Sequence, residues 1–444
     1  MSCNEWPIVT IESIASDRPS SIAIGPFGSR LKADKYIEVG VPVIRGSNLA
    51  GGLGFGGEWV YVSNETADSM PGCVVTEGDL VFPHRGAIGE VGLVDSKFER
   101  YLLSTSLMKL TCDPDQADPY YLYYFFKSDI GRHKLLMNAS QVGTPGIGQP
   151  LSTLRSIELK LPPVSTQKAI TDVLLSIDKK IANNCALAAD LEAMARTIFK
   201  SWFVSFDPVK AKRDGRIPVG VNADTAALFP DNLVEKESGF IPKGWTTGTL
   251  ADVSELNPES WSARNHPDAI RYADLAGTDR GRLTEIKNHA WTDAPSRARR
   301  VLRPGDTIIG TVRPGNRAYA YIGEDGLTGS TGFAILRPNS SFQSSYVYLA
   351  ATSDEAIERL SNLADGAAYP AVRPNVVSAT PLVMPPEDIL GRFSGLTQPL
   401  IDRIIEAYQE CDELAQVRDT LLPRLISGTI HLPEVQEQIE EAVA

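Results

Sequence analysis

The sequence predicts an α+β protein in which two mixed α/β domains are separated by two long antiparallel helices. These helices form a coiled coil, and the whole arrangement is an internal pseudo-two-fold repeat. Three observations predict this fold class. Similar segments recur in order in the two halves, each half has short apolar runs broken by turn residues, and a long heptad pattern closes each half. At 444 residues the chain is also too long for one ordinary core.

The repeat is carried by segments whose offset falls slowly along the chain. "VVTEGDLVFPHRGAIGEVGLV" (74–94) resembles "RVLRPGDTIIGTVRPGNRAYAYI" (300–322), and the shared Gly-Asp pairs are 227 positions apart. "STSLMKL" then matches "STGFAIL" at an offset of 226, and "PYYLYYFFKSD" matches "SYVYLAATSD" at 225. Preserved order with a drifting offset is typical of a duplicated domain that has small deletions.

Each half changes from a strand-like to a helical pattern at a Pro-Pro pair. Before it, runs such as "VPVIRGSNL", "GDLVFPHRG", "DTIIGTVRPG" and "TGFAILRP" predict strands and turns. After Pro163, residues spaced alternately by four and three predict a helix with a heptad seam: Ile170, Leu174, Ile177, Ile181, Asn184, Ala188, Leu191, Ala195, Ile198 and Trp202. After Pro386 an equivalent seam follows: Phe393, Thr397, Leu400, Ile404, Ala407, Cys411, Leu414, Arg418, Leu421 and Leu425.

We expect the two helices to pair with each other, antiparallel, as suits a duplicated unit. Two residues depart from the second seam. Arg418 is charged at an apolar position, and Pro399 predicts either a kink or the true start of the helix.

The predicted domain organisation has six parts. They are a first domain (1–163), a first long helix (164–203), a linker (204–242), a second domain (243–386), a second long helix (387–430) and an acidic tail (431–444).

Composition excludes several classes of protein. A hydrophobic fraction of 43% with 22% charged residues is that of a globular protein, and no apolar run is long enough to span a membrane. The five cysteines form no C-x-x-C pair, which favours a reducing cytoplasm over a disulfide framework or zinc site. The net charge of −12 is unevenly distributed along the chain. Residues 384–444 hold 12 acidic and 4 basic residues, whereas residues 243–342 hold 11 acidic and 13 basic residues.

Motifs for catalysis or cofactors are weak. Gly52-x-Gly54-x-x-Gly57 leads into "EWVYV", a predicted strand, whereas a dinucleotide site needs a helix there. No Gly-Lys pair exists for a phosphate-binding loop, and the five histidines are dispersed. Asp268, Glu285 and Lys287 fit a loose nuclease pattern of two carboxylates and a lysine around a metal, and the first half has no counterpart. The sequence therefore predicts no catalytic residue and no metal ligand.

The arrangement resembles the specificity subunits of type I restriction-modification enzymes. The resemblance lies in "LPPVSTQKAITDVLLSIDKKIANN", in "SGFIPKGW" and "MPPEDILGRF", and in the helix ends "MARTIFKSWFVSFDPVKAK" and "RDTLLPRLISGTI". It covers nearly the whole chain. It implies two target recognition domains, each reading half of a split, asymmetric double-stranded DNA sequence, with the helices as a ruler for the unread spacer.

The resemblance also implies partners. Two methyltransferase subunits would bind S-adenosylmethionine, and two restriction subunits, where present, would use ATP with Mg²⁺. This chain itself would hold no cofactor. Because the chain carries a net charge of −12, we expect the partners to supply part of the phosphate contacts.

The DNA-binding candidates are polar residues beside glycines in predicted loops, since arginine suits guanine and Asn or Gln suits adenine. They are Ser29, Arg30, Lys32, Arg45, Asn48, His84, Arg85 and Gln149 in the first domain, and Arg271, Arg297, Arg299, Arg313, Asn316, Arg317, Tyr369 and Arg373 in the second. Three pairs are expected at near-equivalent repeat positions: Arg45 with Arg271, Arg85 with Arg313, and Gln149 with Arg373.

Two alternative functions stay open on the sequence. One is an enzyme, either a stand-alone DNA methyltransferase or a nuclease using the loose pattern above. The other is a scaffold that binds protein instead of DNA.

Overall fold

The computed structural model divides the chain into two units that share the two long helices. It describes residues 6–27, 30–49, 53–140, 143–236 and 239–430. Unit 1 consists of residues 1–182 and 411–444, and unit 2 of residues 183–410. Among the described residues, no helix is long and apolar enough to cross a membrane.

Unit 1 is built from short strands and helices before the first long helix. Its strands are β1 (Ile8–Thr10), β2 (Ile22–Ile24), β3 (Val41–Ile44), β4 (Val60–Val62), β5 (Val74–Val75), β6 (Leu80–Pro83), β7 (Gly92–Leu93), β8 (Tyr101–Leu103), β9 (Leu107–Leu110), β10 (Ala139–Ser140), β11 (Gly146–Ile147) and β12 (Glu158–Lys160). Its helices are α1 (Asn64–Asp68), α2 (Pro119–Lys127), α3 (Asp129–Leu136) and α4 (Pro150–Arg155). The first long helix, α5, spans Val164–Phe199 and continues as a π-helical turn over Lys200–Val204.

Unit 2 follows the same plan after a partly helical connection. Its helices are α6 (Asp207–Arg213), α7 (Ala223–Leu228), α8 (Leu250–Val253), α9 (Ser344–Ala351), α10 (Asp354–Asn362) and α11 (Pro374–Ser378). Its strands are β13 (Leu233–Lys236), β14 (Gly239–Pro242), β15 (Thr246–Thr249), β16 (Ser254–Leu256), β17 (Ala269–Ala273), β18 (Thr278–Asp279), β19 (Arg282–Leu283), β20 (Lys287–Ala290), β21 (Ala298–Val301), β22 (Thr307–Gly310), β23 (Tyr319–Tyr321), β24 (Leu327–Ser330), β25 (Phe333–Pro338) and β26 (Pro381–Met384). The second long helix, α12, spans Glu387–Ser427.

The strand order confirms the predicted internal repeat. Unit 1 has an antiparallel sheet of order β2-β9-β6-β7 and a mixed sheet of order β4-β3-β8-β5, in which β3 and β8 are parallel. Unit 2 has the same two sheets as β16-β25-β22-β23 and β20-β17-β24-β21, with β17 and β24 parallel. The short hairpin of β18 and β19 lies between β17 and β20 in unit 2, and no matching hairpin occurs among the described residues of unit 1. Two similar sequences have therefore produced the same topology, and the predicted fold class is correct.

The Gly-Asp pair that marks the repeat has a local structural role in both units. Gly78 and Gly305 adopt φ of 87° and 91°, a conformation that glycine takes at little cost. The carboxylates that follow are buried, and each accepts a backbone N–H three residues earlier: Asp79 from Thr76 at 2.9 Å, and Asp306 from Arg303 at 2.8 Å. The pair thus shapes the turn into β6 and into β22.

The long helices pack antiparallel within each unit. In unit 1, Ile170, Leu174 and Ile177 near the start of α5 share a core with Leu421 and Leu425 near the end of α12. In unit 2, Trp202 after α5 shares a core with Phe393 near the start of α12. The remaining predicted seam residues are buried or half-buried as well: Ile181, Leu191, Ile198, Leu400, Ile404 and Leu414.

The structure excludes one of the two expectations for Pro399. Helix α12 begins at Glu387 and runs through Pro399 without interruption, so the proline does not mark its start. The missing hydrogen bond and ring clash cost about 3 kcal/mol in a helix interior. Burial of Phe393 before the proline and of Ile401 and Ile404 after it offsets that cost.

Candidate nucleic-acid interface

In each unit, the turn after one strand lies against the loop before a short helix. In unit 2 the turn after β22 meets the loop between α10 and α11: the N–H of Arg313 donates to the carbonyl of Pro370 at 2.7 Å, and the N–H of Val372 donates to Thr311 at 2.9 Å. In unit 1 the turn after β6 meets the loop before α4, with Gly86 donating to Pro145 at 2.9 Å. We call these the loop pair of unit 1 and the loop pair of unit 2.

The loop pair of unit 2 brings together four of the residues predicted from the sequence. The guanidinium of Arg313 lies 4.7 Å from the ring centre of Tyr369, whose side chain is 69% exposed. Asn316 is exposed in the 3-10 turn that follows Arg313, and Arg373 is exposed directly before α11. A cation, an aromatic face and an amide are thus presented on one surface.

Two other predicted arginines of unit 2 are paired with carboxylates. Arg271 donates to Glu324 at 2.7 and 3.1 Å. Arg317 forms an ion pair with Asp354 at 2.7 Å. Because a neighbouring carboxylate offsets each charge, these side chains are less suited to phosphate or base contact than the arginines without such a partner.

Arg297 and Arg299 lie on and beside β21, away from the loop pair in the sequence. Arg297 is exposed. The guanidinium of Arg299 lies 4.6 Å from the ring centre of Trp291, and that ring is stacked on His266 at 4.3 Å with an interplanar angle of 6°. Sequence reasoning missed Trp291 and His266, because only the tertiary fold stacks two rings 25 positions apart.

The loop pair of unit 1 contains Arg85 and Gln149, both exposed. His84, beside them, is buried, and its Nε2 lies 3.2 Å from the carbonyl oxygen of Thr105. Burial lowers the pKa of His84, so the ring is neutral at pH 7. Its position favours a structural role over contact with DNA.

The remaining predicted residues of unit 1 fall into two groups. Asn48 is fully buried, accepts the N–H of Arg45 at 2.9 Å, and donates to the carbonyls of Gly56 and Glu58. Arg45 is half-buried, so this pair stabilises its own turn. Arg30 and Lys32 are exposed beside the 3-10 turn Ala33–Lys35, whereas Ser29 lies outside the described residues.

Hydrogen-bond register gives the exact counterparts for the three pairs that were expected at near-equivalent positions. When the β3–β8 ladder is matched to the β17–β24 ladder, Arg45 occupies the position of Asp274. The counterpart of Arg45 is therefore Asp274 and not Arg271. The loop-pair hydrogen bonds make Gly86, not Arg85, the counterpart of Arg313. Gln149 and Arg373 do correspond, since each directly precedes a helix that begins with proline.

The loose nuclease pattern is not assembled by the fold. Asp268 directly precedes Ala269, which pairs with Ala290 at one end of the β17–β20 ladder, while Lys287 pairs with Tyr272 at the other end. At about 3.4 Å per residue, more than 10 Å of strand separates the two. Lys287 instead forms ion pairs with Glu285 at 3.1 Å and Asp274 at 3.6 Å.

Each unit also has an apolar cleft between a two-stranded ladder and the end of a long helix. The ladder is β1–β12 in unit 1 and β15–β26 in unit 2. The cleft of unit 2 has a volume of about 460 Å³ and is lined by Phe203, Val204, Phe240, Thr247, Arg359 and Val383, among others. The cleft of unit 1, about 310 Å³, is lined by Ile8, Lys134, Lys160, Ile426 and Ser427, among others. The two clefts occupy equivalent places, since Ile8 pairs with Lys160 as Thr247 pairs with Val383.

Comparison with known proteins shows similarity to one family. The family model for the type I restriction modification DNA specificity domain matches residues 26–193. The HindI specificity subunit of Haemophilus influenzae is 22% identical over 403 residues, which cover 80% of this chain and 87% of that protein. The MjaIX specificity subunit of Methanocaldococcus jannaschii is 22% identical over 396 residues, covering 85% of each chain.

The chain is thus similar to type I specificity subunits over most of its length, and residues 26–193 match the model of their specificity domain. This similarity confirms the resemblance found in the sequence. The fold agrees: the crystal structure of a type I restriction-modification S subunit from M. genitalium superposes with a TM-score of 0.57 at 15% identity, over 95% of this chain and 96% of that one.

Proposed function

We propose that the two units each read one half of a split, asymmetric DNA target, and that the chain itself performs no catalysis. One observation carries the proposal: the same loop pair occurs twice on the same topology, but with different side chains. Unit 1 presents Arg85 and Gln149, whereas unit 2 presents Arg313, Tyr369 and Arg373. Two similar frameworks with different contact residues suit two half-sites of different sequence.

The long helices are proposed to fix the length of the unread spacer. Helix α5 has 36 residues and α12 has 41, so they are about 54 and 62 Å long at 1.5 Å per residue. Paired helices of this length are stiff, and a stiff connection makes the separation of two half-sites a geometric constraint.

The equivalent apolar clefts support docking of two copies of one partner, which we propose to be methyltransferase subunits. Repeated surfaces on one chain bind repeated copies when each surface offers the same shape, and here both clefts combine apolar walls with a basic side chain, Arg359 or Lys134. S-adenosylmethionine would then be bound by these partners. ATP with Mg²⁺ would be bound by restriction subunits where they are present. The partners would also supply phosphate contacts that a chain of net charge −12 lacks.

The test is to co-express the chain with the methyltransferase subunit of its own restriction-modification system and to map methylated bases across the host genome by single-molecule sequencing. We expect a split motif with a fixed spacer that disappears when this chain is omitted. A continuous motif, or methylation that persists without this chain, would contradict the proposal.

A further inference from the structure

Arg313 has a backbone conformation that residues with side chains rarely adopt. Its φ and ψ are 49° and 62°, in the left-handed region. Its counterpart in unit 1 is Gly86, with φ of 82°, and each donates its N–H to the proline of the facing loop. Glycine takes this conformation freely, whereas a side chain is strained there. Unit 2 therefore holds an arginine where the same turn in unit 1 is made by glycine.

Steric crowding in unit 1 does not explain why unit 1 has a glycine where unit 2 has Arg313. A Cβ atom added to Gly86 would meet nothing within 4 Å, so unit 1 could also accommodate a side chain at this position. Strain that persists at one exposed residue, with no packing need for it, points to a function for that side chain.

The side chain of Arg313 is held by the facing loop. Its guanidinium lies 4.7 Å from the ring centre of Tyr369, and Nη2 donates to the carbonyl of Ala368 at 2.9 Å. The counterpart of Tyr369 in unit 1, counted from the matched prolines, is Thr144, so the arginine and the aromatic ring occur together in unit 2. No carboxylate among the described residues pairs with Arg313, and the residue is exposed.

Arg317 provides a contrast four residues later. It is also left-handed, with φ of 59°, but it forms an ion pair with Asp354 at 2.7 Å. An interaction inside the protein therefore accounts for Arg317, whereas the contacts of Arg313 orient its guanidinium without neutralising it.

We propose that Arg313, held by Tyr369, is the specificity-determining residue of unit 2 and that it reads a guanine in the major groove. This inference rests on the function proposed above. Guanine presents O6 and N7 side by side, and a planar guanidinium can donate to both at once. Stacking on an aromatic ring restricts the arginine before binding, which reduces the entropy lost on contact.

The test compares Arg313→Gly with the wild-type chain in the complete methyltransferase complex. Because glycine suits this backbone and serves the same turn in unit 1, the variant is expected to melt at the wild-type temperature or above it. In the methylation map, one guanine in one half-site should become degenerate, with discrimination at that position reduced on the order of tenfold or more. Tyr369→Ala should weaken the same position, and Tyr369→Phe should preserve it.

Arg317→Gly is the matched control. It relieves the same kind of backbone strain in the same turn but removes an arginine already paired with Asp354. We expect the target of this variant to be unchanged at every position.

Two outcomes would overturn the inference while leaving the proposed function intact. One is a wild-type target for Arg313→Gly, and the other is an equal loss of methylation at all sequences, as removal of a phosphate contact produces. A wild-type complex that yields no split motif would instead overturn the proposed function and, with it, this inference.

Discussion

The guanidinium of Arg418 donates to the carboxylate of Asp178 at 2.8 Å, joining the second long helix to the first within unit 1. The side chain of Asp178 is only 11% exposed, and the hydroxyl of Tyr124 donates to its other oxygen at 2.5 Å. Burial, reinforced by this carboxylate, raises the pKa of Tyr124, so the hydroxyl stays protonated. Arg418, the charged residue that departs from the seam, therefore has a partner on the facing helix.

The equivalent positions of unit 2 are apolar. A shift of 223 positions places Ala195 where Arg418 is and Ile401 where Asp178 is, and both belong to the buried core of unit 2. A buried polar pair in one unit and an apolar pair in the other distinguish the correct register of the helices from shifted ones, because a shift leaves a buried charge unpaired.

We expect Arg418→Met to lower the free energy of unfolding by about 2 kcal/mol, because it leaves a largely buried carboxylate without its cation. The double variant Asp178→Leu/Arg418→Met should recover most of that loss. Arg403→Ala is the control, since its ion pairs with Glu406 and Glu410 are more exposed and should be worth less than about 1 kcal/mol. Urea unfolding measures all three, and equal effects of Arg418→Met and Arg403→Ala would refute a special role for the pair.

The clefts predict the stoichiometry of the complex. Ile8→Glu in unit 1 or Phe240→Glu in unit 2 should reduce the number of bound methyltransferase subunits from two to one. Each change places a charge on an exposed apolar residue (65% and 61% exposed) beside one cleft only. Native mass spectrometry of the co-expressed complex gives the count. Val219→Glu, at a residue that is 97% exposed and lines neither cleft, should leave two copies bound; two copies on both cleft variants would exclude the clefts as docking sites.

His84 and Arg85 are adjacent but should behave differently. Burial holds the pKa of His84 below its ordinary value of 6.5, so at lower pH the unfolded chain takes up a proton that the folded chain resists. Wild-type stability should therefore fall as pH drops from about 6.5 through the lowered pKa, and His84→Gln should lose less over the same interval. Melting temperatures at pH 7.5 and 5.5 measure this difference.

The methylated DNA sequence should also distinguish the role of His84 from that of Arg85. We expect His84→Gln to retain the wild-type target and Arg85→Ala to lose recognition in the half-site read by unit 1. An altered target for His84→Gln would show that the buried ring contributes to DNA contact after all.

Arg297 and Arg271 carry the same formal charge in different surroundings. Arg297 is exposed, and no ion pair with a described carboxylate neutralises it, whereas Arg271 is paired with Glu324. If Arg297 contacts a phosphate, Arg297→Ala should weaken binding to all sequences and reduce the slope of log Kobs against log salt by about 0.9. Arg271→Ala should change the slope much less. Fluorescence anisotropy of the complex over a salt series measures both, and equal slopes for the two variants would contradict the distinction.

Local patterns in the sequence predicted most of the fold. The heptad seams predicted both long helices because a repeat of apolar residues every three or four positions directly determines which face of a helix is buried. The drifting offset predicted the duplication, and strand order confirmed it. Local pattern could not decide whether Pro399 starts the second helix, because its local cost is offset by burial on both sides, and that burial depends on the partner helix.

The candidate interface was predicted less completely. Residue type and neighbouring glycines suggested Arg313, Tyr369, Arg85 and Gln149 as DNA contacts; the structure places all four in the loop pairs, and their contact with DNA stays a prediction. They could not show that Asn48 and His84 are buried, or that Arg317 has a carboxylate partner, because exposure and ion pairing depend on residues far apart in the chain.

The sequence by itself determined the duplication, the two long helices and the resemblance to type I specificity subunits, because periodicity, repeat order and Pro-Pro junctions are properties of the linear chain. The tertiary structure decided which of the candidate arginines are paired with carboxylates, such as Arg271 and Arg317. It also decided that Gly86 is the counterpart of Arg313. The offset of 227 between the two Gly-Asp pairs agrees with this match, and the equivalent backbone hydrogen bonds establish it. The physical reason is that a charge acts through its distance to other charges, and only the folded chain sets those distances.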